Sequence, residues 1–112
     1  MELFNWLLVG HLVGDFIFQT RWMAEKKAQN FLPLIVHSVV YTATVAVFGL
    51  IGNGLSWWGI GLVFISHIIL DQRKFVEVWS RVINGNTTID WLKTVLDQSW
   101  HILILALATL IK

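Results

Sequence analysis

The chain has 112 residues, a hydrophobic fraction of 56%, a charged fraction of 13% and a formal net charge of +1, with a mean hydropathy of +0.68. This length supports one domain, residues 1–112, and about half the usual share of charge is too little to cover so much apolar surface in water. Without a basic cluster interleaved with aromatics the chain is not read as a nucleic-acid binder, and with no cysteine it has no disulfide and no thiolate metal ligand.

The first apolar run extends from about Leu3 to Phe18. It lacks a cleavable small-residue site and holds Asp15 in its second half, so it reads as a permanent helix rather than a signal peptide. His11 and Asp15 (HLVGD) lie one turn apart on it. Gly10 and Gly14 form a GxxxG pair that lets another helix approach closely. That helix belongs to this chain or to a second subunit, so a homo-oligomer through Gly10 and Gly14 is one expectation. The segment from Arg21 to Asn30 is a polar, basic link. The second run, Phe31 to Ile51, contains His37. A short glycine-rich link, residues 52–56, leads to the third run, Trp57 to Leu70, which contains His67 and adjoins Asp71 (HIILD). This run is short, and reaches full length only by continuing past Asp71 towards Trp79. The third link, from near Gln72 to near Asp90, carries Arg73, Lys74 and Arg81 around a turn signal, INGNTT. The fourth run, Ile89 to Ile111, has Asp90 or Thr88 as candidate caps and contains Asp97 and His101 (DQSWH).

A helix crosses a bilayer with about 20 residues, so four runs predict an all-α, integral membrane, antiparallel bundle of four transmembrane helices. Seven basic residues, Arg21, Lys26, Lys27, Arg73, Lys74, Arg81 and Lys93, lie on or beside the first and third links, and only Lys112 falls on the other side. Positive charge stays cytoplasmic, which places both termini outside and both basic links inside. Trp22, Trp79 and Trp91 then mark the inner interface, and Trp57, Trp58 and Trp6 the outer one, as anchors.

Each helix carries ionisable groups, and three sets are i, i+4 pairs whose members share a face. Counting from the basic end of each helix, Asp15 stands roughly 9 Å, His37 roughly 10 Å, His67 roughly 9 Å and His101 roughly 12 Å into the membrane. Asp71 and Asp97 sit slightly lower and His11 slightly higher. Seven groups at one depth form a site rather than a route through the membrane. Three readings compete: hydrogen-bonded glue, a metal site, or a proton or ion pathway. Tyr41, Gln19, Thr94 and Gln98 lie on matching faces, where they can hold a ligand side chain in place.

The ordered motifs HxxGDFxxQxxWMAxxK, HxxxY (His37 to Tyr41), HxxxD and DQxxH resemble a family of small bacterial and phage membrane proteins, domain-of-unknown-function family 3307, over nearly the whole chain. The family has no established activity to carry over, and its membership implies a multi-pass protein of the bacterial inner membrane. The HIILD segment also resembles the HxxxD element of membrane-bound, metal-dependent hydrolases. The expected protein is an integral membrane metalloprotein that acts as a hydrolase. His11, His37, His67 and His101, with Asp15, Asp71 and Asp97, are the candidate ligands of a divalent metal, zinc first and iron or manganese next. Asp15 or Asp97 is the candidate general base. The expected partners are the lipid bilayer and an amphiphilic small molecule or lipid, a phosphate or an ester, entering from the inner leaflet. A small proton- or ion-coupled transporter, or a membrane interaction protein with a polar structural core, are the alternatives.

Overall fold

A computed structural model describes residues 2–111, which are all-α with no strand among them. Helix α1 (Leu3–Leu12) runs directly into one π-helical turn, Val13–Ile17. Phe18 N–H closes that turn on the Val13 carbonyl at 2.9 Å. A π turn widens the helix by one residue and changes the direction in which its side chains point; Asp15 lies inside it.

The basic link is not irregular. It folds into the short helix α2 (Arg21–Lys26), capped by Thr20, whose hydroxyl accepts from Met23 N–H. Helix α3 (Phe31–Ile51) has the expected bounds. Helix α4 (Trp57–Asp71) starts at Ser56, whose hydroxyl accepts from Gly59 N–H at 3.0 Å.

Helix α4 stops at Asp71 and does not continue towards Trp79. Arg73 adopts the left-handed conformation (φ 68°), and its N–H bonds the Leu70 carbonyl at 2.9 Å, which ends the α ladder. The chain then turns into a separate helix, α5 (Lys74–Val82). Val76 on α5 is buried, and Phe75 and Trp79 pack edge-on against Trp100, with ring centroids 5.0 and 5.1 Å away. Helix α6 (Asp90–Ala108) is capped by neither Asp90 nor Thr88. Ile89 stands at its start, and Asn86 Oδ1 accepts from the N–H groups of Ile89 (2.9 Å) and Thr88 (3.3 Å).

Helices α1, α3, α4 and α6 pack as a closed ring, each against two neighbours: α1 on α3, α3 on α4, α4 on α6 and α6 on α1. One end of the interior is apolar, formed by Leu7, Val45, Val63, Leu105 and Ala108. The other end holds the ionisable groups.

Gly10 and Gly14 face α3 of the same chain. A Cβ on Gly10 would lie 3.0 Å from the Val45 Cα, and one on Gly14 would lie 3.2 Å from the Tyr41 Cα. This packing occupies the GxxxG surface, so it is not open to a second subunit. By length and composition, Phe31–Ile51 alone among the described residues is long and apolar enough to cross a membrane; Leu3–Ile17 and Trp57–Asp71 are apolar but shorter. Lys112, used in the orientation reading, lies outside the described residues.

Candidate metal centre

Four ligand-type atoms from two helices, α3 and α4, and the π turn converge. His37 Nε2 (α3) lies 2.9 Å from Asp15 Oδ1 and 3.1 Å from Asp71 Oδ2. His67 Nε2 (α4) lies 3.4 Å from Asp15 Oδ1 and 3.5 Å from Asp71 Oδ2. All four side chains are buried. Ligands at about 2.0–2.2 Å around a tetrahedral zinc ion are about 3.3 Å apart, and the four observed separations bracket that spacing.

Proton counting points the same way. One imidazole nitrogen carries at most one proton, so His37 Nε2 has a single proton to share between two carboxylates. Asp71 Oδ2 is also 2.9 Å from Lys27 Nζ, yet that buried oxygen has no neighbour in hydrogen-bonding geometry. The residues therefore fit a divalent cation.

A second group shares Asp71. His101 Nε2 lies 3.1 Å from Asp71 Oδ1, and its Nδ1 is 2.7 Å from the Asp97 backbone carbonyl. A carbonyl only accepts, so Nδ1 carries a proton, and the Nε2 contact with Asp71 needs a second proton or a cation. Asp97 Oδ1, 3.7 Å from His101 Nδ1, is buried without a hydrogen-bond partner. Asp71, Asp97 and His101 thus form a group that could hold an ion beside the first.

His11, expected among the ligands, belongs to neither group. Its Nε2 donates to Gln98 Oε1 at 2.8 Å, and its Nδ1 accepts from the Tyr41 hydroxyl at 2.8 Å, so no lone pair is left for a metal. Gln98 Nε2 in turn donates to Asp97 Oδ2 at 3.3 Å. This chain from Tyr41 to Asp97 fixes the positions of groups around the centre. Tyr41 also stacks on His67, with ring centroids 3.8 Å apart and planes at 20°.

Two other expected supports are placed differently. Gln19 Nε2 bonds the backbone carbonyl of Asp15, not its carboxylate, and Thr94 bonds the Asp90 carbonyl in its own helix. Sequence reasoning missed two groups. Ser38 lies 3.3 Å from His67 Nδ1, and Lys27 lies beside Asp71. Ser38 follows His37 and is a polar residue inside an apolar run, which was a usable signal; Lys27 is the final position of the HxxGDFxxQxxWMAxxK motif.

The i, i+4 pairs do not close on themselves. His11 and Asp15 are 4.0 Å apart, His67 and Asp71 3.5 Å, and Asp97 and His101 3.7 Å. The shorter contacts, 2.8–3.1 Å, run between elements. A polar cleft of about 190 Å³ reaches this cluster, with Asp15 and Asp97 in its lining and Lys27, Arg73 and Gln98 around them.

Fold and site together define a helical bundle with a buried histidine–aspartate centre. The chain belongs to the family described as protein of unknown function (DUF3307), whose model matches residues 3–112. No curated protein and no solved structure matches it.

Proposed function

We propose that the protein is an integral membrane metalloprotein, with a divalent cation held by Asp15, His37, His67 and Asp71, that acts as a hydrolase on an amphiphilic substrate at the inner leaflet. The convergence of four buried ligand-type atoms within 4.8 Å of one another, with histidine–aspartate separations of 2.9–3.5 Å, carries this reading. Zinc is the first candidate, with iron and manganese next. Bound there, a divalent ion supplies Lewis acidity to water and to a substrate oxygen. Of the two carboxylates considered as general base, Asp15 already directs Oδ1 at His37 and His67, whereas Asp97 keeps an uncommitted oxygen. Asp97 is therefore the candidate base.

The distribution of surfaces supports the membrane part. The four histidines, Asp15 and Asp71 are buried, while Trp57, Trp58, Phe31, Leu50 and Ile17 are each more than 70% exposed. That exposure suits lipid rather than water. The α1–π run and α4 each have 15 residues, about 22 Å of rise against about 30 Å of hydrocarbon. In the proposed orientation their shortfall lies at the inner end, where the cleft opens and the basic links lie. The apolar far end, from Leu7 to Ala108, argues against a proton or ion route across the bundle.

Metal analysis of protein purified without a His tag, followed by turnover of a short-chain phosphoester and a carboxylic ester, tests the enzyme reading. Chelation abolishes turnover and one added metal restores it; turnover unaffected by chelation and by Asp97→Asn contradicts it. The cysteine-free sequence also makes topology accessible. Asn53→Cys should react with an impermeant maleimide in intact cells and Asn84→Cys only after lysis; the reverse pattern refutes the orientation.

One contact favours a second reading. Lys27 lies 2.9 Å from Asp71 and places a cation at the cluster without any metal. If the cluster is only a charge network, Lys27→Met leaves a buried carboxylate unpaired and destabilises the protein by about 3–5 kcal/mol. If a metal is the resident cation, Lys27→Met retains metal and stability in the loaded form.

A further inference from the structure

Among the described residues, four adopt left-handed backbone: Asn53, Gly54, Gly85 and Arg73. Glycine takes this conformation freely and asparagine tolerates it, but an arginine there is strained. Arg73 ends α4 two residues after Asp71, a position where glycine would end the helix without that strain. It also lines the cleft that leads to the metal centre. Strain next to a site is informative when the strained side chain has a task there.

The charges around Arg73 indicate that task. Arg21 pairs with Glu25, Lys27 with Asp71 and Lys93 with Glu77, whereas Arg73 forms no ion pair with any described residue. Asp15 directs Oδ1 at two imidazoles, and Asp97 Oδ2 accepts from Gln98. Asp97 Oδ1 has no hydrogen-bond partner, and Arg73, which is exposed, presents its planar set of donors to the same cleft. Phe16, 55% exposed, forms an apolar border on the same cleft.

We propose that this cleft is the headgroup site and that Arg73 makes it specific for a phosphoryl oxyanion carried on an amphiphile. A guanidinium presents paired N–H donors at the spacing of two phosphate oxygens; Lys27 also lines the cleft, with its charge already paired with Asp71. This assignment deepens the metalloprotein reading and rests on it for the chemistry that follows binding. Arg73 sets the substrate class as a binding residue, and Asp97 stays the candidate base.

The test uses the full-length, zinc-supplemented protein in detergent, with metal content measured on every sample. Binding of dihexanoyl phosphatidic acid, inorganic phosphate and uncharged dihexanoylglycerol is followed by calorimetry for the wild type, Arg73→Gly and Arg73→Lys. Arg73→Gly should weaken phosphatidic acid binding about 10- to 100-fold, the effect of losing a charge-assisted bidentate contact. Its thermal midpoint should stay at or above that of the wild type, because the left-handed strain is gone. Arg73→Lys should fall between the two. Inorganic phosphate bound as tightly as the lipid, with the same dependence on Arg73, assigns the anion site to free phosphate; dihexanoylglycerol bound as tightly as phosphatidic acid overturns the anion specificity. Phosphatidic acid and phosphate both failing to bind, or binding equally to Arg73→Gly, overturns the proposal while metal content still reports on the centre. A wild type without metal overturns the metal reading, and the anion titrations remain readable.

Discussion

At one end of the bundle, Leu7, Val45, Val63, Leu105 and Ala108 from four helices fill the interior with groups that need no particular partner. At the other end, the same four helices and the π turn enclose Asp15, His37, His67, Asp71 and His101, whose short contacts run to particular partners. The apolar end can lose a methyl group at a cost set by volume. The polar end cannot lose a group without leaving another buried and unpaired. Stability can therefore reside in both ends, whereas the side chains that could hold a metal ion lie at one.

Substitutions at the two ends separate these contributions. The largest effect belongs to Asp71→Ala, since Asp71 alone serves both ligand groups. It should cost about 3–5 kcal/mol in chemical denaturation of the metal-free form, and bound metal should fall to background. Leu7→Ala should cost a similar amount, about 2–5 kcal/mol, with metal content unchanged. If Leu7→Ala also strips the metal, the two ends are not independent. Gly14→Ala comes next. Its Cβ would lie 3.2 Å from Tyr41 Cδ2 and push the ring that stacks on His67. A loss of about 1–3 kcal/mol should come with weaker metal binding in competition with a chromogenic chelator. Tyr41→Phe removes only the hydroxyl that bonds His11, itself not among the candidate ligands, and should weaken metal binding by less than about 10-fold, the lower bound for losing a bond made directly to a ligand. The smallest effect is at the surface. Glu25→Gln breaks an ion pair whose Arg21 side chain is 89% exposed, and thermal denaturation should not resolve the change.

The same contrast explains what could be read from the chain. Apolar runs located the four long helices to within a few residues, because burial of a run of side chains is a local, additive signal. The polar groups were recognisable as a set because each costs free energy in an apolar helix. Their pairing was not. An i, i+4 spacing pointed to His11–Asp15, yet the π turn at Val13–Ile17 redirects Asp15 towards His37 and His67, and no single-helix periodicity encodes that change. His11 was grouped with the ligands for the same reason; its role depends on Tyr41 and Gln98, 30 and 87 residues away. The break after Asp71 was hidden because arginine is not a residue that normally signals a left-handed helix end. Gly10 and Gly14 did mark a close helix approach, but only the packing identifies α3 as its partner.

Elemental analysis of the tag-free protein, with and without supplied zinc, iron or manganese, bears most directly on the buried centre. At least one tightly held divalent ion per chain, lost in Asp71→Ala and retained in Leu7→Ala, is the predicted result. Near-zero stoichiometry that none of the three metals raises would mean that Lys27 and the protonated histidines alone neutralise the buried carboxylates, and the metal centre would have to be given up.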